Sequence, residues 1–283
     1  MPITRDHVIA KSADLPTFPL VIERILSTLE DPDANLNALV SYIEHDPVVA
    51  GHVLSMANKA GTSRYGGARI NDIFTAISLI GLARVREAAI VMSLSKVFEG
   101  LQPPGTHDYF WRHSVAVGVC SVELAHWTQA TLSVDTALIA GLLHDVGQLW
   151  LQRFEPSAFN HAMSEAVRQG VETVVTEREA LGIDHCTIGG WLAQSWGLSE
   201  PITSAIVHHH TPEGVAAQPL AAVVHVAEVL SNALDLTHSA NSRVTRISAA
   251  SCATLGLQWG DDSHRLFGRI EARSRQAAAL FVR

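Results

Sequence analysis

A polar pair interrupts an apolar helical pattern in the stretch Ala140-Gly-Leu-Leu-His-Asp-Val-Gly147. Leu138, Leu142 and Asp145 recur at the spacing of one helix face. We therefore predict a single helix that begins near residue 133 and carries Asp145 on its inward stripe. His144 is offset from that stripe by about 100°. Positions 137 and 141, on the same edge as His144, are alanine and glycine, so we expect a neighbouring helix to approach closely there.

Helical periodicity continues on both sides of this stretch. Leu36, Leu39 and Ile43 mark an amphipathic helix, and Asp46–Pro47 is typical of a cap followed by proline at the first helical position. Alternation typical of strands never persists for more than a few residues, so the sequence predicts an all-helical protein. Further helices are expected over about 157–180, 185–196, 199–209 and 217–234.

The composition indicates a folded, acidic protein. Its 283 residues are 47% hydrophobic and 17% charged, which favours a sizeable core over disorder. The net charge is -8 and the basic residues are scattered, so we expect no direct binding of duplex nucleic acid. No apolar run reaches the roughly 18 residues of a membrane span, and the first residues lack a signal-peptide core. Cys120, Cys186 and Cys252 form no CxxC pair, and together these features predict a cytoplasmic protein.

The strongest turn signal is Glu99-Gly-Leu-Gln-Pro-Pro-Gly105, and we place a domain boundary there. The expected parts are an N-terminal extension (1–14), an N-terminal helical subdomain (15–100), a helical bundle (105–236) and a C-terminal helical extension (237–283).

A second loop, from Lys59 to Arg69, is rich in glycine and polar residues and lies between two strong helical patterns. It offers Arg64, Tyr65 and Arg69, residue types that often anchor protein interfaces. We interpret this loop as a candidate partner-binding surface. An ordinary interhelical loop is an equally good interpretation of the same residues.

The histidines are concentrated after the predicted domain boundary, where ten of the fifteen lie between residues 107 and 225. Imidazole and carboxylate groups together suit iron, manganese, zinc or nickel. Taken singly, these residues have simpler interpretations. A lone histidine such as His113 is more often a hydrogen-bonded core residue than a ligand, and a lone cysteine such as Cys186 is usually a core residue. The run from His208 to His210 could be a solvated helix end. The candidate metal ligands are His113, His144, Asp145, His185, His209, His210 and Glu228.

A set of short motifs, taken in order, resembles the HDOD domain, a branch of the HD phosphohydrolase superfamily. The resemblance runs from Leu15 to about Asn232 and is specific because the motifs occur jointly and in order. The motifs are Leu15-Pro-Thr-Phe-Pro, Asp46–Pro47, Met56-Ala-Asn-Lys-Ala, Ala76-Ile-Ser-Leu-Ile-Gly81, Trp111-Arg-His-Ser114, Ala140-Gly-Leu-Leu-His-Asp-Val-Gly147 and Ala205-Ile-Val-His-His-His-Thr-Pro212.

The resemblance implies an N-terminal helical subdomain packed on an HD-type bundle, in a bacterial signal-transduction protein. HDOD domains are generally regarded as lacking demonstrated catalysis, so the expected action is binding of a signalling protein, with a vestigial metal site and room for a nucleotide ligand. One alternative is a working metal-dependent phosphohydrolase acting on a nucleotide or cyclic dinucleotide, in which Asp145 and His185 would take part in catalysis. Another is an iron-based sensor.

The sequence departs from active relatives at three places, of which the first two favour the non-catalytic interpretation. The paired histidines are followed by Thr211-Pro-Glu-Gly-Val in place of the glycine-rich segment of the cyclic di-GMP phosphodiesterases that this family resembles. Gln148 stands where active HD proteins commonly have a lysine that would offer a positive charge to phosphate. Glu228 stands where the family pattern ends in aspartate, which preserves a ligand but changes its reach.

Overall fold

The computed structural model describes residues 3–13, 22, 36–61, 69–101, 109–214, 218–237 and 246–279. Within these ranges the regular structure is helical and no strand occurs, which confirms the all-helical prediction. None of the helices in this part of the chain combines the length and apolar character needed to cross a bilayer.

Helices follow one another along the described part of the chain. In order, they are α1 (Arg5–Ser12), α2 (Leu36–Glu44), α3 (Pro47–Gly61), α4 (Ile73–Ile80), α5 (Leu82–Leu101), α6 (Tyr109–Trp127), α7 (Val134–Leu143), α8 (Val146–Phe154), α9 (Pro156–Gln169), α10 (Thr173–Leu181), α11 (His185–Ser195), α12 (Glu200–His208), a 3-10 turn (Pro212–Gly214), α13 (Pro219–Ala233), α14 (Ala249–Leu255) and α15 (Ser263–Ala279).

The chain divides into two compact units, of which one comprises residues 16–99. In this unit Asp46 accepts a hydrogen bond from the amide of Val49 at 3.3 Å, as expected of the cap of α3. The Asn58 side chain bonds both the amide and the carbonyl of Ile70, at 2.8 and 2.9 Å, and so joins α3 to the residues before α4. Arg69 is exposed, whereas Arg64 and Tyr65 lie outside the described residues.

The other unit comprises residues 1–15 and 100–283, and α6 runs through its core. Helix α7 packs closely along α6 because both helices have glycine at the crossing. A Cβ added at Gly141 would lie 2.6 Å from the Ser121 hydroxyl and 2.9 Å from the Gly118 Cα. The close approach predicted beside His144 is therefore confirmed.

Two predicted helices are each divided in the structure. The helix expected to carry Asp145 on its stripe ends at Leu143, and a new helix begins at Val146, so His144 and Asp145 occupy a turn between α7 and α8. The helix expected over 157–180 is interrupted by Gly170, whose positive φ of 70° ends α9. The division at His144 matters most, because it frees the two residues from the 100° offset of a continuous helix.

Both ends of this unit are attached to its bundle. Trp150 of α8 donates a hydrogen bond from Nε1 to the Ser12 hydroxyl of α1 at 3.0 Å, and Lys11 pairs with Glu155 at 2.9 Å. Val8, on the inner face of α1, is completely buried. At the other end, α15 packs along α6.

Candidate metal centre

Five places in the bundle supply the predicted ligands. The structure brings all seven residues into one cluster, in which five are buried and His210 and Glu228 are partly exposed. His113 projects from α6, and the turn between α7 and α8 supplies the adjacent histidine and aspartate. The other ligands come from the first residue of α11, the C-terminal end of α12 and the middle of α13, and are His185, His209, His210 and Glu228.

Asp145 lies at the centre of the cluster. Its Oδ2 is 3.3 Å from Nε2 of His144 and 3.6 Å from Nε2 of His113. Its Oδ1 is 3.3 Å from Nε2 of His185 and 3.6 Å from Nε2 of His209. Four imidazole Nε2 atoms therefore converge on one buried carboxylate, an arrangement that sequence spacing could suggest but not specify.

Backbone carbonyls hold two of these rings in the orientation that a metal ligand requires. Nδ1 of His144 lies 2.8 Å from the carbonyl of Gly141, and Nδ1 of His209 lies 2.8 Å from the carbonyl of Ile206. A carbonyl only accepts, so in each ring Nδ1 carries a proton and Nε2 is the nitrogen directed into the cluster, where it can bind a metal once it is unprotonated. A hydrogen bond from the distal nitrogen is the usual support of a metal-binding histidine.

Glu177 provides the same support for His185. The Glu177 Oε2 atom accepts from the His185 backbone amide at 2.8 Å and lies 2.7 Å from its Nδ1. Glu177 is completely buried on α10, whereas Glu179, two residues later on the same helix, is exposed. The sequence alone offers two similar glutamates, so it did not single out Glu177. Only the packing of α10 against α11 distinguishes the two.

His210 and Glu228 complete one side of the cluster. Nδ1 of His210 is 3.3 Å from Oε2 of Glu172, and its Nε2 is 4.0 Å from Oε1 of Glu228. Glu228 also lies with His144 and His209 in a group whose ligand atoms are within 4.8 Å of one another. Glu228 therefore reaches the cluster.

The electrostatics of the cluster favour a bound cation. Burial raises the pKa of Asp145, but the neighbouring imidazoles of His144, His185 and His209 lower it well below its usual range. Burial lowers the pKa values of His185 and His209, yet Cys186 and Asp145 outweigh this effect and raise both well above 6.5. Positive charge beside Asp145 is thus stabilised even where water is excluded.

The residues present fit a divalent transition metal. His144 Nε2 is buried, lacks a hydrogen-bond partner among the described residues and faces Asp145. Two ligand atoms held by one tetrahedral ion lie about 3.4 Å apart, given metal–ligand bonds of about 2.0–2.1 Å. The separations around Asp145 are 3.3 to 3.6 Å.

Cys186 joins the cluster, although the sequence favoured a core cysteine. Its Sγ is 3.5 Å from His185 Nε2 and 3.9 Å from His209 Nδ1. Burial raises the pKa of the Cys186 thiol, but His185 and His209 outweigh this effect and bring it to about 6. At Cys120 burial is reinforced by the charge of Glu123, and the thiol pKa is strongly raised. The two buried cysteines therefore have unlike environments.

His225, one turn before Glu228, does not serve as a ligand. Its Nε2 accepts a hydrogen bond from the Ser248 amide at 3.1 Å, so the proton is on Nδ1, which donates to the carbonyl of His209 at 2.8 Å. His225 is a structural residue that positions the end of α12.

A cavity of about 1030 Å³ opens over the cluster. Gln148 lies in its wall and donates a hydrogen bond to Asp145 Oδ1 at 3.1 Å, so this side chain is directed to the carboxylate. Arg246, an exposed residue before α14, is the one arginine or lysine among the described lining residues. The cavity is lined by Tyr109, His113, Asp145, Gln148, Asn160, Met163, Ser164, Ala166, Val167, Gly170, Val171, Glu172, Thr173, His210, Glu228, Asn232 and Arg246.

Comparison with known proteins agrees with this architecture. An HDOD domain protein of unknown function from Geobacter sulfurreducens superposes with a TM-score of 0.80 at 24% identity, covering 99% of this chain and 97% of the other. A protein from Marinobacter aquaeolei VT8 that is assigned to signal transduction superposes with a TM-score of 0.73 at 23% identity, covering 96% of this chain and 59% of the other.

An uncharacterized protein from Treponema pallidum (strain Nichols) is 25% identical over 227 residues, which are 78% of this chain. The match spans 43% of that relative, less than half of its length. The HDOD domain family matches residues 15–212, more than half of the chain and most of the predicted stretch. The chain therefore belongs to the HDOD family.

Proposed function

We propose that this protein is a bacterial signalling protein that binds a protein partner, holds a transition metal in its histidine cluster and is not an enzyme. The observation that carries this proposal is the environment of Asp145. The metal ligands are all present, but the residue beside them in the cavity wall is Gln148, which bonds Asp145 and offers no positive charge to a phosphate.

The metal-binding part of the proposal is tested by elemental analysis of protein purified without a histidine tag. We expect iron, manganese, zinc or nickel in the wild type. Little should remain in a variant that combines His144→Ala with Asp145→Ala, because it removes the central carboxylate and a buried imidazole. An equal metal content in the two proteins would contradict the proposed site.

The non-catalytic part is tested with a panel of phosphomonoesters, nucleotides and cyclic dinucleotides, in the presence of manganese or iron. We expect no turnover of cyclic di-GMP, because Gln148 supplies no charge and the segment after His210 lacks the glycine-rich motif. Turnover that is lost in the variant with both His144→Ala and Asp145→Ala would overturn this part of the proposal.

A metal-dependent phosphohydrolase is the second candidate, and the cavity favours it. The cavity opens directly over His113, Asp145 and Glu228, and Arg246 lies in its wall. A bound divalent ion would supply Lewis-acid polarisation of a phosphoryl oxygen. In this alternative Asp145 and His185 would bind and orient the reacting groups, and Arg246 would bind phosphate in place of the missing lysine. Activity that also falls with Arg246→Ala would support it.

The partner-binding part is assigned to the loop between Lys59 and Arg69. Arg69 is exposed, and the other two candidate residues lie outside the described ranges. Pull-downs from the native cell should retain a signalling partner with the wild type and lose it with Arg64→Ala plus Tyr65→Ala. An unchanged set of captured proteins would contradict this assignment.

A further inference from the structure

The metal cluster has two chemically different halves. One half offers nitrogen and oxygen atoms from His113, His144 and Asp145, which lie within 4.8 Å of one another. The other half offers a sulfur atom, because Cys186 groups with His185, His209 and His210 within the same distance. Cys186 was interpreted from the sequence as a core residue, and the proposed ligand set does not include it.

The position of the sulfur matches that of a metal ligand. Given bonds of about 2.3 Å to sulfur and about 2.0–2.1 Å to nitrogen, the two ligand atoms of a tetrahedral ion lie about 3.6 Å apart. Cys186 Sγ lies 3.5 Å from Nε2 of His185, the ring nitrogen that faces the cluster while Nδ1 contacts Glu177. Cys186 is only 3% exposed, so the sulfur faces the cluster interior rather than solvent.

A second observation points to a ligand at the same place. Nε2 of His144 and Nε2 of His210 are both buried and lack a hydrogen-bond partner among the described residues. His210 belongs to the sulfur-containing half of the cluster. His144 adjoins that half, because its ring packs edge-on against the ring of His209, with 5.1 Å between the ring centroids. Buried nitrogens without partners are costly unless they bind a ligand.

We propose that Cys186 supplies a thiolate ligand to a metal ion held by His185, His209 and His210. This inference rests on the metal-binding part of the proposed function. Sulfur favours zinc and iron over manganese, which prefers oxygen ligands. The two halves of the cluster therefore differ in metal preference, and the sulfur-containing half selects the softer ion.

Cobalt substitution tests the proposal, because a cobalt–thiolate bond absorbs in the near ultraviolet and histidine ligands alone do not produce that band. The tag-free protein is freed of metal with a chelator, reconstituted with cobalt(II) under reducing anaerobic conditions and measured for cobalt content and absorption. We expect the band in the wild type and its loss in Cys186→Ser, with cobalt still bound through the imidazoles.

Cys120→Ser and Cys252→Ser are the controls, because Cys120 is buried in α6 and Cys252 accepts a bond from the Trp259 indole at 3.4 Å. Both variants should keep the band. A band that survives in Cys186→Ser, or a cobalt-loaded wild type without the band, overturns the thiolate while leaving the metal site intact. A wild type that binds no cobalt overturns both proposals.

X-ray absorption of the wild type loaded with zinc decides the question even if Cys186→Ser does not fold. A thiolate ligand contributes a scattering shell at about 2.3 Å, which is distinct from nitrogen and oxygen ligands at about 2.0–2.2 Å. We expect this shell in the wild type, and a fit that needs nitrogen and oxygen alone would contradict the proposal.

Discussion

The imidazoles of the cluster are positioned by groups on the side away from Asp145. Backbone carbonyls bond the rings of His144 and His209, and the Glu177 carboxylate bonds that of His185. The Glu177 contact differs from the other two because the acceptor is a side-chain carboxylate rather than a backbone carbonyl, and this side chain is completely buried. A charged hydrogen-bond acceptor increases the basicity of the ring and therefore its strength as a metal ligand.

Replacing Glu177 by glutamine should weaken metal binding by about 10- to 100-fold, the usual cost of losing the outer partner of a metal-binding histidine. Glutamine keeps the shape of the side chain but removes its charge. The dissociation constant is measured by competition with a chromophoric chelator. Glu179→Gln, an exposed change on the same helix, should leave it unchanged. Equal affinity in the Glu177→Gln protein and the wild type would refute this role.

Gly147 permits the contact between α8 and α11 that places His185 in the cluster. A Cβ at this position would overlap the His185 carbonyl oxygen and lie 2.8 Å from the Gly189 nitrogen. Gly147→Ala should therefore destabilise the protein by about 1–3 kcal/mol or more, because the helices must move apart. Denaturant unfolding measures the change.

The matched control for this prediction is Gly268→Ala in α15. Gly268 is exposed and a Cβ there would meet nothing within 4 Å. Alanine loses less backbone entropy than glycine on folding, so this variant should be stabilised by about 0.5–1 kcal/mol. If both alanine variants had wild-type stability, the steric argument for Gly147 would be wrong.

At the scale of elements, α15 is held on α6 by ion pairs with a buried glutamate. Glu123 of α6 is 4% exposed and accepts from Arg269 at 2.8 Å and from Arg273 at 2.6 Å. The Arg269 guanidinium also lies 5.5 Å from the centroid of the Trp127 ring. The two arginines are four residues apart, so they share one face of α15.

Glu123→Gln should lower the free energy of unfolding by about 1–3 kcal/mol, because it removes the negative charge that accepts from two arginines at a buried position. It should also expose α15 to proteolysis, which mass spectrometry detects. Asp262→Asn is the control. Asp262 and Arg265 form a pair at 3.4 Å with side chains 71% and 70% exposed, and such pairs contribute little. A similar effect of both substitutions would contradict a special role for Glu123.

At the scale of the whole molecule, all the candidate ligands belong to the unit formed by residues 1–15 and 100–283. They are contributed by α6, the turn after α7, α11, the end of α12 and α13. An ion bound by them would connect segments that are more than a hundred residues apart in sequence. Metal binding is therefore expected to be coupled to the stability of this unit.

Removal of metal by a chelator should destabilise this unit, because an ion that binds only the folded state contributes about 2.7 kcal/mol when its free concentration is 100 times Kd. Hydrogen exchange should accelerate in α6, α7 and α11–α13 and stay unchanged in residues 36–99. The variant with both His144→Ala and Asp145→Ala should show no response to the chelator. A response spread equally over both units, or one that persists in this variant, would contradict the coupling.

Much of the fold could be predicted because helices are encoded by local patterns. The apolar periodicity and caps such as Asp46 depend on residues three or four positions apart, so a single sequence contains them. The candidate ligands could be proposed because His144 and Asp145 lie in an ordered series of motifs. The same local reasoning missed the helix break at these two residues, because their spacing also fits a continuous helix and only the turn lets both face the cluster.

The sequence by itself determined that the protein is helical, that it belongs to the HDOD family and that histidines and carboxylates are available for a metal. The tertiary structure alone decided that Glu177 rather than Glu179 supports His185, that Cys186 faces the cluster and that His225 serves the backbone. These outcomes depend on how helices cross, and glycine contacts set the distances between them. Such crossings depend on packing over the whole unit, so they cannot be predicted from the spacing of residues that are close in sequence.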